Sequence, residues 1–109
     1  MANHSRALLV LGDPTRLEIF EHLAKRPSAV VDIANLMPVS RPAVSQHLKV
    51  LKDADLVILD QVGTRHIYRV NPIAIATMKN YLDQLWDDSL ASFKALAELE
   101  EDPTGEKTQ

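Results

Sequence analysis

The sequence predicts a winged helix-turn-helix, mainly α with a β-hairpin wing, and three observations carry that prediction. Apolar residues recur at helical spacing in several short segments before Asp55. The period changes at Leu56, where Val, Ile and Tyr gather around a break at Val62-Gly63-Thr64. A long helical pattern then resumes near Pro72 and runs to about residue 100. Spacings of 3.6 and of 2 mark helix and half-buried strand respectively. Short helices joined by a tight turn and followed at once by a hairpin make the winged arrangement.

The first helix, about residues 4–11, rests on Ala7, Leu8 and Leu11, and Gly12 stops it. Asp13 supplies the next N-cap, and Pro14 takes the first helical position, where a missing N–H costs nothing. Leu17, Ile19, Phe20 and Leu23 form the stripe of this second helix. Lys25 and Arg26 suit its negative end, and Pro27 terminates it. Ser28 is a candidate cap for a third helix packed through Val30, Ile33, Ala34 and either Leu36 or Met37, with Pro38 closing it. Ser40 caps a fourth helix over 40–54, in which Pro42 lies in the first turn and Val44, Leu48 and Leu51 point inward. About three residues separate this pair, as in a helix-turn-helix. Two strands within Leu56–Val70 follow, ended by Asn71-Pro72. The last helix, 72–100, carries one stripe of Ile75, Met78, Leu82, Leu85 and Ser89 and another of Trp86, Leu90, Phe93 and Ala97. Residues 1–100 read as one domain, and 101–109, "EDPTGEKTQ", as a flexible acidic tail.

With 46% hydrophobic residues the chain is no disordered tail, but 109 residues leave little surplus core. A long apolar helix therefore calls for a partner chain. The lack of cysteine excludes disulfides, thiolate metal sites and a cysteine nucleophile, and fits a reducing cytoplasm. The apolar run Ala7–Leu11 is too short for a signal-peptide core or a membrane span, so a soluble cytoplasmic protein is expected. A net charge of −3 argues against a polyanion partner until its distribution is read. Residues 1–71 hold nine Lys/Arg against seven Asp/Glu, and residues 72–109 hold three against eight. Local potential decides docking on DNA.

The stretch "SRPAVSQHLK" packs one side of its helix and lines the other with short polar and basic groups. That division suits insertion into the DNA major groove, which admits one helix and displays a distinct donor and acceptor pattern. Arg41 could fork onto a guanine or grip a phosphate, Gln46 could pair with adenine, and Ser45 could bond either kind of group. Lys49 and Lys52 are placed for phosphates, and Thr64 and Arg65 at the wing tip for the backbone or minor groove. A solvated helix face accounts for the same residues without any ligand.

Three strings, "LGDPTRLEIFEHL", "SRPAVSQHLKVLKDADLV" and "GTRHIYRVNP", occur in order and resemble the ArsR/SmtB-type winged-helix repressors over roughly residues 6–98. The resemblance implies a homodimer that binds a double-stranded DNA operator and represses transcription. It implies a DNA-binding set of Ser40, Arg41, Pro42, Ser45, Gln46, His47, Lys49, Thr64 and Arg65. It also implies a dimer interface built by the first and last helices, through Leu8, Leu11, Met78, Leu82, Leu85, Trp86 and Phe93. Asp55 stands where the family usually has glycine; aspartate tolerates a left-handed backbone better than most residues, so the turn is expected to survive.

Many of these repressors release DNA on binding a metal. One kind of site uses a Cys-x-Cys pair before the recognition helix, where this chain has Ala29 and Val31; another uses Asp and His on the last helix, which here has no histidine. Zinc needs four N, O or S ligands. His4, His22, His47 and His66 are scattered and read as solvated, partly buried, packing or phosphate-contacting, and wing-strand residues. No metal or cofactor is therefore expected, and the resemblance points to the branch without the known metal sites. A small-molecule inducer of unknown identity is open, with Trp86, Phe93 and Met78 as possible pocket walls, although packing explains them as well. The competing classes are a winged-helix protein-interaction module without DNA binding, favoured by the acidic pI, and a metal-responsive repressor with a non-standard site. An enzyme is not expected: the sequence has no phosphate-binding glycine loop, HExxH or nucleophile elbow.

Overall fold

Seven elements follow in the order α1 His4–Val10, α2 Pro14–Lys25, α3 Val30–Leu36, α4 Arg41–Asp53, β1 Val57–Val62, β2 Arg65–Val70 and α5 Pro72–Glu100. A computed structural model describes residues 4–100; the expected tail at 101–109 lies outside the described residues, as do residues 1–3. The chain divides into two units, one reaching to Met78 and the other beginning at Lys79.

The cores of α2, α3 and α4 account for most of the first unit's packing. Ile19, Leu23, Ile33, Val44, Leu48, Leu51 and Leu56 are fully buried, joined by Phe20, Met37 and Val57. Leu17 departs from its expected place: it is exposed, because the buried face of α2 is centred on Ile19 and Leu23. Of the two candidates at the end of α3, Met37 packs and Leu36 faces out.

Caps fix the helix ends. Asp13 Oδ1 accepts from the Thr15 N–H at 2.9 Å and the Arg16 N–H at 3.1 Å, satisfying two donors that the first turn of α2 leaves over. Ser40 Oγ accepts from Ala43 N–H at 3.2 Å. Ser28 is not the cap of α3. Ala29 holds that position without a side-chain bond, because Ser28 pairs its backbone with Tyr68 of β2 at 3.0 and 2.8 Å.

The end of α4 closes by a left-handed turn. Leu56 N–H donates to Leu51 O at 3.0 Å and Asp55 N–H to Lys52 O at 2.9 Å, with Asp55 at φ 60°. This pairing is the Schellman motif, and its usual apolar contact falls on the buried Leu51 and Leu56. Asn71 braces the same turn: its Nδ2 donates to Asp55 O at 2.9 Å, while its Oδ1 accepts from Ile73 N–H at 3.0 Å and so caps α5.

The wing is a two-stranded antiparallel ribbon in which Val57 pairs with Val70 and Val62 with Arg65. Its two-residue turn has positive φ at Gly63 only, the conformation that accommodates glycine in the first central position.

Candidate nucleic-acid interface

The fourth helix separates its residues by solvent exposure as the spacing predicts. Val44, Leu48 and Leu51 are fully buried, while Arg41, Pro42, Ser45, Gln46 and Lys49 are exposed. Pro42 costs nothing here because it occupies the first turn, and Ser40 starts the helix so that Arg41 stands at its N-terminal end. His47 belongs to neither set. It is half-buried, and its charge acts on Asp13, at the start of α2.

Thr64 and Arg65 project from the wing tip and are exposed. The wing and the helical body border a shallow groove of about 360 Å³. Val30 and Val31 of α3 line it, together with Arg41 of α4 and Thr64, Arg65 and His66 of the wing. The structure thus brings Arg41 and Arg65, 24 positions apart in sequence, to one concave surface.

Charge on this surface is partly paired. Lys49 Nζ lies 2.9 Å from Asp53 Oδ2, one turn on, and that hydrogen bond raises the lysine pKa and holds the Asp53 carboxyl below the usual carboxylate range. Arg65 Nη2 reaches Asp32 Oδ2 of α3 at 3.3 Å, a contact that sequence spacing could not reveal. Within the hairpin, Arg69 Nε donates to Asp60 Oδ2 at 2.6 Å. Asp13 is also held low, first by the Arg16 N–H and then by the Thr15 N–H and the charges of Arg16 and His47.

Apolar exposure is concentrated elsewhere. In α1, Leu8 is 37% exposed, whereas Leu11 packs partly against the core. Within the second unit Leu82, Leu85, Trp86, Leu90 and Phe93 are all exposed, Trp86 by 66% and Phe93 by 71%. Met78 is the exception among the expected interface residues: it lies at the end of the first unit and is already buried in that unit's own core, beside Ala74 in the same cluster. His22 Nε2 is buried and lies 3.8 Å from Glu18 Oε2. Among the described residues no three ligating side chains converge, and no helix is long and apolar enough to cross a membrane.

A family model described as a helix-turn-helix domain matches residues 11–60. The chain is 46% identical over 99 residues to the HTH-type transcriptional regulator Rv2034 of Mycobacterium tuberculosis, covering 91% of this chain and 92% of the relative. It is 37% identical over 67 residues to the arsenical resistance operon repressor of Staphylococcus xylosus, covering 62% of this chain and 64% of the relative. An ArsR-like transcriptional regulator from Rhodococcus sp. RHA1 matches with a TM-score of 0.73 at 30% identity, over 86% of this chain and 92% of that one. The homodimeric winged helix-turn-helix DNA-binding domain of Mb0332 from Mycobacterium bovis matches with a TM-score of 0.62 at 29% identity, over 77% of each chain.

Proposed function

This chain belongs to the ArsR-type family of winged-helix transcriptional regulators, and from that premise we propose that it is a homodimeric repressor whose fourth helix reads an operator while its wing grips the flanking backbone. It is a DNA-binding regulator and not an enzyme, as the regulators it matches are. It works where the DNA is, in the cytoplasm.

One observation carries the assignment of the reading face. The side of α4 that holds Val44, Leu48 and Leu51 is sealed into the core, and the opposite side offers Arg41, Ser45, Gln46 and Lys49 to solvent beside the wing's Arg65. A helix anchored this firmly can enter the major groove without shifting. Arg41 offers guanidinium donors and Gln46 an amide donor and acceptor for base edges, and Ser40, Pro42, Ser45, His47, Lys49, Thr64 and Arg65 complete the contact surface with phosphates and sugars. Two such surfaces come from two copies, joined through the exposed apolar residues of α1 and α5: Leu8, Leu82, Leu85, Trp86 and Phe93. Leu11, partly buried in the turn just after α1, supports this join.

The test is a gel shift on an operator fragment that the protein selects from random duplexes. Arg41→Ala with Gln46→Ala is expected to lose about 1–3 kcal/mol for each base contact and to relax sequence preference. Unchanged operator affinity in that double variant removes the reading face from α4. Arg65→Ala is expected to weaken binding about equally on every sequence and to flatten the salt dependence.

A further inference from the structure

We infer that Asp32 sets the strength of DNA binding by holding and masking Arg65, so that the wing meets DNA with its charge already paired. This rests on the assignment of Arg65 as a backbone contact. The Asp32 carboxylate sits in the first turn of α3 and the guanidinium at the start of β2, yet their atoms are 3.3 Å apart. The pair therefore joins the helical body to the wing, unlike Lys49–Asp53 within one helix or Asp60–Arg69 within one hairpin.

Exposure determines what the pair can do. The side chains of Arg65 and Asp32 are 63% and 52% exposed, so water screens them and the bond breaks readily. A phosphate approaching Arg65 takes over its donors, since guanidinium forks suit phosphate as well as carboxylate. Asp32 is then left as an anion beside the incoming polyanion. The same arrangement recurs on α4, where Lys49 carries Asp53. That pair is not placed for helix stability: Asp53 is the last helical residue, where the dipole disfavours an anion, and lysine before aspartate is the weaker order. Among the cations assigned to the DNA face, Arg65 and Lys49 thus arrive with carboxylates attached. Asp32 is a positioning residue, and it acts through Arg65.

Asp32→Asn removes the charge and keeps the shape. Binding is measured on a mixed-sequence DNA duplex and on the selected operator, across a salt series. The expected gain is about two- to fivefold at low salt, equal on both duplexes, with a salt slope steeper by about 0.9. In an Arg65→Ala background the same substitution is expected to give a clearly smaller gain, because only the repulsion between Asp32 and the duplex is left to relieve. Asp32→Ser must reproduce the gain, and thermal melting checks that both variants stay folded. Unchanged or weaker binding by Asp32→Asn overturns the inference, and so does a full gain that persists without Arg65. If Arg65→Ala alone leaves binding unchanged, the wing assignment fails and takes this inference with it; if only the Asp32 arms fail, the wing assignment stands.

Discussion

Trp86→Ala is expected to weaken self-association about a hundredfold while leaving each protomer folded. Trp86 is 66% exposed in the single chain and lies outside the buried cluster, so truncating it opens no cavity there. A tryptophan side chain presents about 200 Å², and two thirds of that is roughly 130 Å². Covering this area is worth about 25 cal/mol per Å², or about 3 kcal/mol in each protomer. A two-fold interface counts every residue twice, which sets a ceiling of about 6 kcal/mol per dimer. Partial coverage and repacking around the truncated side chain return part of that, leaving about 3 kcal/mol, a factor of roughly a hundred in Kd. Sedimentation equilibrium over a concentration series reads the change directly. Because Trp86 is the chain's single tryptophan, its emission supplies a second signal, moving to shorter wavelength as copies associate. A dissociation constant within threefold of the parent's, or emission that ignores concentration across the transition, would refute the assignment of this face to self-association.

Two further predictions concern the turn after the reading helix and the start of α2. Asp55→Val is expected to be about 1–2 kcal/mol less stable than Asp55→Gly, because a β-branched residue resists the left-handed backbone at φ 60°. Both variants lack the carboxylate, so the difference in denaturant unfolding isolates the backbone; equal stability refutes the argument. Asp13, whose carboxyl titrates lower in the folded chain than in the unfolded one, adds stability that is fully present above the unfolded value of about 3.9 and is lost as pH falls through the folded value. Asp13→Asn is expected to flatten that part of the acid limb of a stability-versus-pH curve, and an unaltered limb would show that the cap does not titrate with folding.

Legibility in the sequence followed the range of the interactions. Asp13, Ser40, Val44, Leu48 and Leu51 were readable because caps and helical stripes depend on neighbours within four residues. Gly63 was readable because a two-residue turn demands its backbone. Leu17 and Ser28 went astray for tertiary reasons: the buried face of α2 is centred on Ile19 and Leu23, and the Ser28 backbone is taken by Tyr68. The same holds for Met78, which helical spacing grouped with Leu82 and Leu85 but which its own unit's core claims. The Asp32–Arg65 pair and the Asn71 brace join residues 33 and 16 positions apart, and no periodicity announces either. Asp55 could be read as a tolerated substitution for glycine, but not as a residue whose carbonyl anchors the start of α5.

The three residues between α4 and β1 have a mechanical consequence. Ala54, Asp55 and Leu56 each donate their N–H back into the helix, and the carbonyls of Asp55 and Leu56 accept from Asn71. Reading helix and wing therefore form a stiff bracket with no slack at its corner. The entropy of aligning the two is lost during folding and not again at the duplex. Under the proposed assignment of α4 and the wing to DNA, a misfit of spacing between them is borne by the duplex, through bending or a change of groove width.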